Sequence, residues 1–132
     1  MEELTRRLRF SRRALGTLRE VLAEPKTSIT RDAAIQRFEY SFETSWKALQ
    51  LHLREAEGLD LASPASVVRS AHAVGILDEA SARLGLEMVR DRNLTVHTYN
   101  ERLADEIYGR LRGYLEMMDA WLGAVERRAG PG

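Results

Sequence analysis

Ile35-Gln36-Arg37-Phe38-Glu39-Tyr40-Ser41-Phe42-Glu43-Thr44-Ser45-Trp46-Lys47-Ala48-Leu49-Gln50-Leu51-His52-Leu53 decides the fold. Ile35, Phe38, Phe42, Trp46, Leu49 and Leu53 recur every three or four positions. That is the period of one face of an α-helix and not the alternation of a strand. The large side chains predict a helix lying at the centre of a core. Phe38, Phe42 and Trp46 have the shape to stack on nucleic-acid bases, but at this spacing they read as core. Thr30 and Asp32 are the candidate caps for its start, and Gly58 marks its end. Glu39, Glu43 and Lys47 repeat at four-residue intervals and can pair along its solvent face.

The same period extends outward on both sides. Residues 2–24 carry Leu4, Leu8, Leu15, Leu18 and Leu22 on one stripe, and Pro25 ends that helix. Arg6, Arg7, Arg9, Arg12, Arg13 and Arg19 make its other faces basic. They read either as a solvated face or as a phosphate-binding strip. Ser63-Pro64 is a cap followed by proline at the first helical position, opening a short helix that closes at Gly75. A further helix is expected from about Asp78 to Arg90, with Leu84 and Met88 inward. The last is expected from Thr98 to Arg127, with Leu103, Ile107, Leu111, Leu115, Met118, Leu122 and Val125 as its stripe. Gly109 and Gly113 interrupt it, which suggests close packing there. Arg127 to Gly132 reads as a frayed tail. No alternating strand pattern and no repeat is present, so the expectation is one all-α domain over residues 1–132, an up-and-down bundle of four to five helices.

Composition narrows the function. The 132 residues suit one domain, and 20 basic residues balance 20 acidic ones. With no net field to draw nucleic acid, any RNA contact must come from a local patch. The absence of cysteine removes thiol chemistry and thiolate metal sites. His52 and His72 have no metal-ligand companion at helical spacing, and no cofactor or metal is expected. No apolar run approaches membrane-spanning length, and Met1-Glu2-Glu3 does not open a signal peptide, so a cytoplasmic location is expected.

The chemistry concentrates in Arg90-Asp91-Arg92-Asn93-Leu94-Thr95-Val96-His97-Thr98-Tyr99-Asn100. Arg92 is a forked phosphate donor, Asn93 a polar positioner, His97 an imidazole able to take or give a proton, and Tyr99 a hydroxyl acceptor. Five residues advance a helix by about 500°, so Arg92 and His97 do not share one helical face. The β-branched Thr95, Val96 and Thr98 favour a break, and Thr98-x-x-Glu101 fits a capping box that restarts the helix. His97 and Tyr99 would then lie at a helix N-terminus, which favours anions. The alternative is structural: Arg92 paired with Asp91 or Glu101, and His97 and Tyr99 as buried cap residues.

Arg92-Asn93-x-x-x-His97-x-Tyr99 resembles the signature of the HEPN superfamily, in the branch that works with minimal nucleotidyltransferases (MNT). The blocks from Ile35 to Lys47, Ser63 to Arg69 and Asp91 to Tyr99 are similar to that branch, whose members are also called nucleotidyltransferase substrate-binding proteins. The likeness spans roughly residues 30–122 in order. It implies a helical bundle, a homodimer that joins two motifs in a cleft, and a small nucleotidyltransferase as partner. It further implies a metal-independent endoribonuclease, the toxin of a toxin–antitoxin pair, with Arg92 and His97 catalytic and Asn93 assisting. Glu43 and Lys47 would be supporting residues. Tyr99 matches the tyrosine that the partner adenylylates to silence the toxin. The alternatives are a non-catalytic substrate-binding subunit of a two-component nucleotidyltransferase and a purely structural adaptor. The chain lacks a Gly-Ser followed by spaced aspartates, so it is not the transferase itself.

Overall fold

The computed structural model describes residues 2–130, and within them every regular element is helical. The helices are α1 (Glu2–Leu22), α2 (Ser28–Glu57), α3 (Pro64–Ala73), α4 (Glu79–Leu94) and α5 (Glu101–Ala129), with one 3₁₀ turn, Thr95–His97, between the last two. The contacts fix their directions. Arg37 Nη1 donates to the Thr17 carbonyl at 2.8 Å, so α1 and α2 form an antiparallel hairpin. Phe38 stacks on Tyr114 with centroids 5.4 Å apart, and Phe42 tilts against Trp121 at 6.3 Å, so α2 and α5 run parallel. Arg110 on Asp91 and Tyr114 on Glu87 set α4 antiparallel to α5. The result is an all-α up-and-down bundle.

The apolar stripes account for the core. Leu8, Leu15, Leu18, Phe38, Phe42, Leu49, Leu53, Ile107, Leu111 and Met118 are all buried. Phe38 and Phe42 are wholly enclosed, so they serve packing and not base stacking. Trp121 and Tyr114 are equally enclosed, although the expected α5 stripe left them out. The stripe is wider than the core positions read from sequence because α5 is covered by α1, α2 and α4 at once.

The boundaries differ from expectation in four places. α2 begins two residues before Thr30: Thr27 is its cap, and Thr30 returns the bond to the Thr27 N–H at 2.8 Å. Ser63 and Ser66 make the same reciprocal pair at the start of α3, as Ser63-Pro64 foretold. α4 continues past Arg90 to Leu94, and α5 begins at Glu101 with Asn100, not Thr98, as its cap. α5 also runs as regular helix to Ala129, past the expected start of the tail at Arg127, while Pro131 and Gly132 lie outside the described residues. Gly58 closes α2 in the left-handed region at φ 70°, where its N–H reaches back to the Arg54 carbonyl.

The expectation of close packing at Gly109 and Gly113 is overturned. A Cβ at either would meet nothing within 4 Å. The crowded glycine is Gly85 on α4, whose Cβ would lie 3.0 Å from both Trp121 Cζ2 and Val68 Cγ1. This is where α3, α4 and α5 come together.

Candidate functional site

The corner joining α4 to α5 is built by hydroxyls. The Thr95 hydroxyl donates to the Arg92 carbonyl at 2.7 Å, and the Thr98 hydroxyl donates to the Thr95 carbonyl at 2.8 Å. Bonds from a side chain to a carbonyl three residues back suit the tight 3₁₀ geometry better than an α-helix. The threonines therefore bend the chain after Leu94 without ending helix at Arg90. Thr98 is spent in this turn. Glu101 is drawn to Arg31 Nη1 at 2.6 Å and away from any capping box.

Arg92 and Asn93 consequently sit in the last turn of α4, with His97 closing the 3₁₀ turn and Tyr99 between it and α5. Arg92 pairs with neither Asp91 nor Glu101. Its Nε lies 3.6 Å from Glu43 Oε1 on α2, an ion-pair distance too long for a hydrogen bond. Glu43 Oε2 in turn lies 3.8 Å from Lys47 Nζ. Arg92, Glu43 and Lys47, drawn from distant parts of the sequence, thus form one charged chain. The Arg92 side chain is 29% exposed, while its Nε is buried and has no hydrogen-bond partner.

His97 and Tyr99 make the second group. Tyr99 is 82% exposed, which excludes a buried cap residue. Its hydroxyl lies 3.3 Å from His97 Nδ1, and the rings meet edge-on at 5.9 Å. His97 is exposed as well, with Nε2 free of any protein partner among the described residues. Asn93 is exposed and makes no hydrogen bond to His97.

Two ionic networks hold this corner, one buried around Asp91 and one in which a buried Arg31 meets exposed carboxylates. Asp91 is fully enclosed. It receives Arg110 Nε at 2.7 Å and Nη2 at 3.0 Å, and the Tyr114 hydroxyl at 2.5 Å. Asp91 holds the Arg110 guanidinium charged well above its usual range. Burial, then Asp91 and Glu87, push the Tyr114 hydroxyl far above the ordinary phenol value, so it stays a donor. The second network centres on Arg31, which touches Asp32, Glu101 and Asp105, joining the start of α2 to the start of α5. Lys26 and then Arg31 hold the Asp105 carboxyl below its usual range. Sequence reading passed over both networks. The signal available was a matched pair of i,i+4 spacings, Glu87–Asp91 and Arg110–Tyr114, on two helices facing each other. The remaining histidines offer no metal site: His52 is buried and His72 exposed, and no group of three metal-ligating side chains occurs among the described residues.

The class the fold and site define is a small all-α up-and-down bundle that carries an arginine, a histidine and a tyrosine at its α4–α5 corner. The sequence matches the family described as nucleotidyltransferase substrate binding protein like over residues 6–127, and the chain belongs to that family. A crystal structure of a protein from Thermus thermophilus is 54% identical with a TM-score of 0.85, covering 88% of this chain and 98% of that one. A Haemophilus influenzae protein, described as having the fold of a substrate binding domain of a nucleotidyltransferase, shares that fold at 20% identity and a TM-score of 0.77. That likeness covers 89% of this chain and 98% of the other. Comparison with curated proteins gave no match. No helix among the described residues is long and apolar enough to cross a membrane.

Proposed function

We infer that this chain is the partner of a small nucleotidyltransferase and a metal-independent endoribonuclease, silenced by nucleotidyl transfer to Tyr99. The observation that carries the reading is the exposed Tyr99 hydroxyl 3.3 Å from His97 Nδ1, with the other imidazole nitrogen open to a substrate. His97 Nε2 takes the proton of an RNA 2′-hydroxyl, whose oxygen attacks the adjacent phosphorus. The phosphorus–O5′ bond breaks, leaving a 2′,3′-cyclic phosphate and a 5′-hydroxyl. Arg92 neutralises the phosphate oxygens as their charge grows. The departing oxygen needs a proton from a second group, and one copy of the motif offers a single imidazole. His97 of a second copy across a two-fold axis supplies it, so the reading includes a homodimer with the two corners facing each other. Transfer of AMP to Tyr99 places a bulky anion beside the same histidine and blocks RNA by occupancy and repulsion.

The test uses the full chain alone and co-expressed with its nucleotidyltransferase. The isolated protein should cleave RNA in EDTA, and Arg92→Ala and His97→Ala should each lower the rate at least about a hundredfold. Co-expression should add about 330 Da per adenylyl group, absent from Tyr99→Phe. An adduct that persists in Tyr99→Phe refutes the silencing half, and cleavage unchanged in both mutants refutes the catalytic half.

A second reading, a non-catalytic substrate-binding subunit, draws support from the Arg92–Glu43 pair, since a carboxylate already faces the guanidinium. Under it the isolated chain cleaves no RNA and raises the transferase's nucleotide affinity on mixing.

A further inference from the structure

We propose that the groove between α1 and α2 is a binding site for single-stranded RNA leading to the Arg92 corner. This rests on the reading above for its direction, though not for its existence. Three depressions lie end to end along this face. The first is about 130 Å³ and lies against the α2–α3 loop. It shares Arg7 and Lys47 with a middle one of about 320 Å³. The middle one shares Phe10 and Thr44 with a third of about 250 Å³ beneath Tyr40. From Tyr40 to Arg54 the α2 backbone spans about 21 Å at 1.5 Å per residue. That is room for about six nucleotides at the 3.4 Å stacked spacing, within the range of single-strand binding sites.

The lining has the two properties such a strand requires. The first is a local excess of positive charge in a chain with none overall. Arg6, Arg7, Arg13, Lys47 and Arg54 line the groove against the carboxylates Glu43 and Asp60. Arg6 and Arg7 rest on Glu3 at 2.5 and 3.0 Å, in exposed pairs that a phosphate can replace. The second property is exposed aromatic surface. Phe10 is 50% exposed, and Tyr40 is 39% exposed with its hydroxyl 2.7 Å from Thr17 Oγ1. The Arg6 and Arg13 guanidinium carbons sit 6.0 and 5.6 Å from the Phe10 ring centre. A basic groove with aromatic platforms tracks a backbone while bases stack, with little regard for sequence. Double-stranded RNA cannot offer unstacked bases to such platforms. The groove meets the corner at Glu43, which lines the middle depression and faces Arg92 at 3.6 Å. A strand lying on Lys47 therefore arrives beside Arg92.

The experiment is anisotropy titration of a fluorescein-labelled 12-nucleotide oligouridylate, and of an RNA duplex of that length, onto the full chain carrying His97→Ala. The single strand should bind more tightly than the duplex. Adding Arg7→Ala with Lys47→Ala should weaken binding at least about tenfold. It should also flatten the slope of log affinity against log salt by about 1.4, two phosphate contacts at ~0.7 each. Phe10→Ala should weaken binding about fivefold or more, since it removes a stacked base, and leave the slope unchanged. Glu43→Gln should act in the opposite sense and tighten binding. All these side chains are at least partly exposed, and matching circular dichroism melts establish that the variants fold.

No RNA binding, groove variants that bind like their parent, or preference for duplex would each overturn the proposal. So would variants that lose self-association in sedimentation in step with RNA, since the face would then join two copies. The two readings fail separately. If the unsubstituted chain cleaves RNA through His97 while the groove variants keep their KM, the groove is wrong and the catalytic reading stands. If the groove variants lose RNA but the unsubstituted chain never cleaves it, the groove stands and the nuclease falls.

Discussion

Three glycines on two neighbouring helices should respond to alanine with opposite signs. Within a helix, Gly→Ala stabilises by roughly 0.8–1 kcal/mol, because glycine gives up more backbone freedom on folding. Nothing lies within 4 Å of a Cβ at Gly109 or Gly113, so each should realise that gain. At Gly85 the new methyl would sit 3.0 Å from Trp121 Cζ2, 3.0 Å from Val68 Cγ1 and 3.3 Å from Val68 Cγ2. Trp121 is a rigid ring with no exposed surface, and Val68 is an equally buried β-branched side chain, so neither can swing away. Overpacking a tight core costs roughly 1–3 kcal/mol. Set against the propensity gain, Gly85→Ala should be destabilising by about 1 kcal/mol. For a chain of this size that is about 3–5 °C in Tm. Urea unfolding followed by circular dichroism, with m held constant, measures all three variants. Gly85→Ala equal to or more stable than the parent would show that the α3–α4–α5 junction is misread, and Gly109→Ala and Gly113→Ala both less stable would show that those two positions on α5 are not open.

Trp46→Ala removes a buried aromatic from the α2 stripe and should cost about 3 kcal/mol in the same assay; under 1 kcal/mol would mean the ring does not pack. His52 is buried, and that burial, then the charge of Arg128, hold its imidazole below the ordinary value. Its neutral form is favoured in the folded chain, so its contribution is fully present above about pH 6.5, the unfolded value. It is lost as pH falls through the lower folded value. The urea midpoint should therefore drop between about pH 8 and 5.5, and His52→Gln should flatten that drop. An unchanged profile would place His52 in water.

The long stripes of α1, α2 and α5 were legible because each buries one broad face for many turns. Local errors cannot move a 3.6-residue period sustained from Ile35 to Leu53. The α4–α5 corner was not legible in that way. Thr95, Val96 and Thr98 argue against helix by propensity, but propensity is worth only tenths of a kcal/mol per residue. The α-helix does stop at Leu94, immediately before them, but it runs past Arg90 to that point because Asp91 is fixed from outside the segment by Arg110 and Tyr114. Two of the expected caps failed for a related reason. Thr98 and Thr30 both have capping chemistry, but a nearby residue, Asn100 or Thr27, holds the position where the chain turns. Of the candidate site residues, Glu43 reaches Arg92 through a contact that no sequence spacing encodes, while Lys47 joins through its i,i+4 pair with Glu43. Tyr99 and His97 meet because two residues apart across a 3₁₀ turn is a local geometry.

Both halves of the corner are referenced to α5, by different means. Arg92 follows directly after Asp91, so its helix end is set by the bonds from Arg110 and Tyr114. Tyr99 precedes Asn100 and Glu101, whose position is set by Arg31 reaching across from α2. Asp91→Ala should thus loosen the end of α4 and leave the start of α5 in place, while Arg31→Ala should do the reverse. Removing Asp91 takes the buried acceptor carboxylate away from three donors, Arg110 Nε, Arg110 Nη2 and the Tyr114 hydroxyl. Breaking a fully buried pair costs about 3–5 kcal/mol, but Arg110 is 36% exposed and can rehydrate, so about 3 kcal/mol is expected. Arg31 is buried and its partners are largely exposed, which leaves those carboxylates hydrated once it is gone; the cost should be nearer ~2 kcal/mol. Amide hydrogen exchange resolves the two effects. Protection should fall across residues 88–94 in Asp91→Ala and across 98–103 in Arg31→Ala, beyond the change elsewhere in each. If either variant loosens both segments equally, the corner is one cooperative unit and the Arg92 and Tyr99 halves cannot move independently.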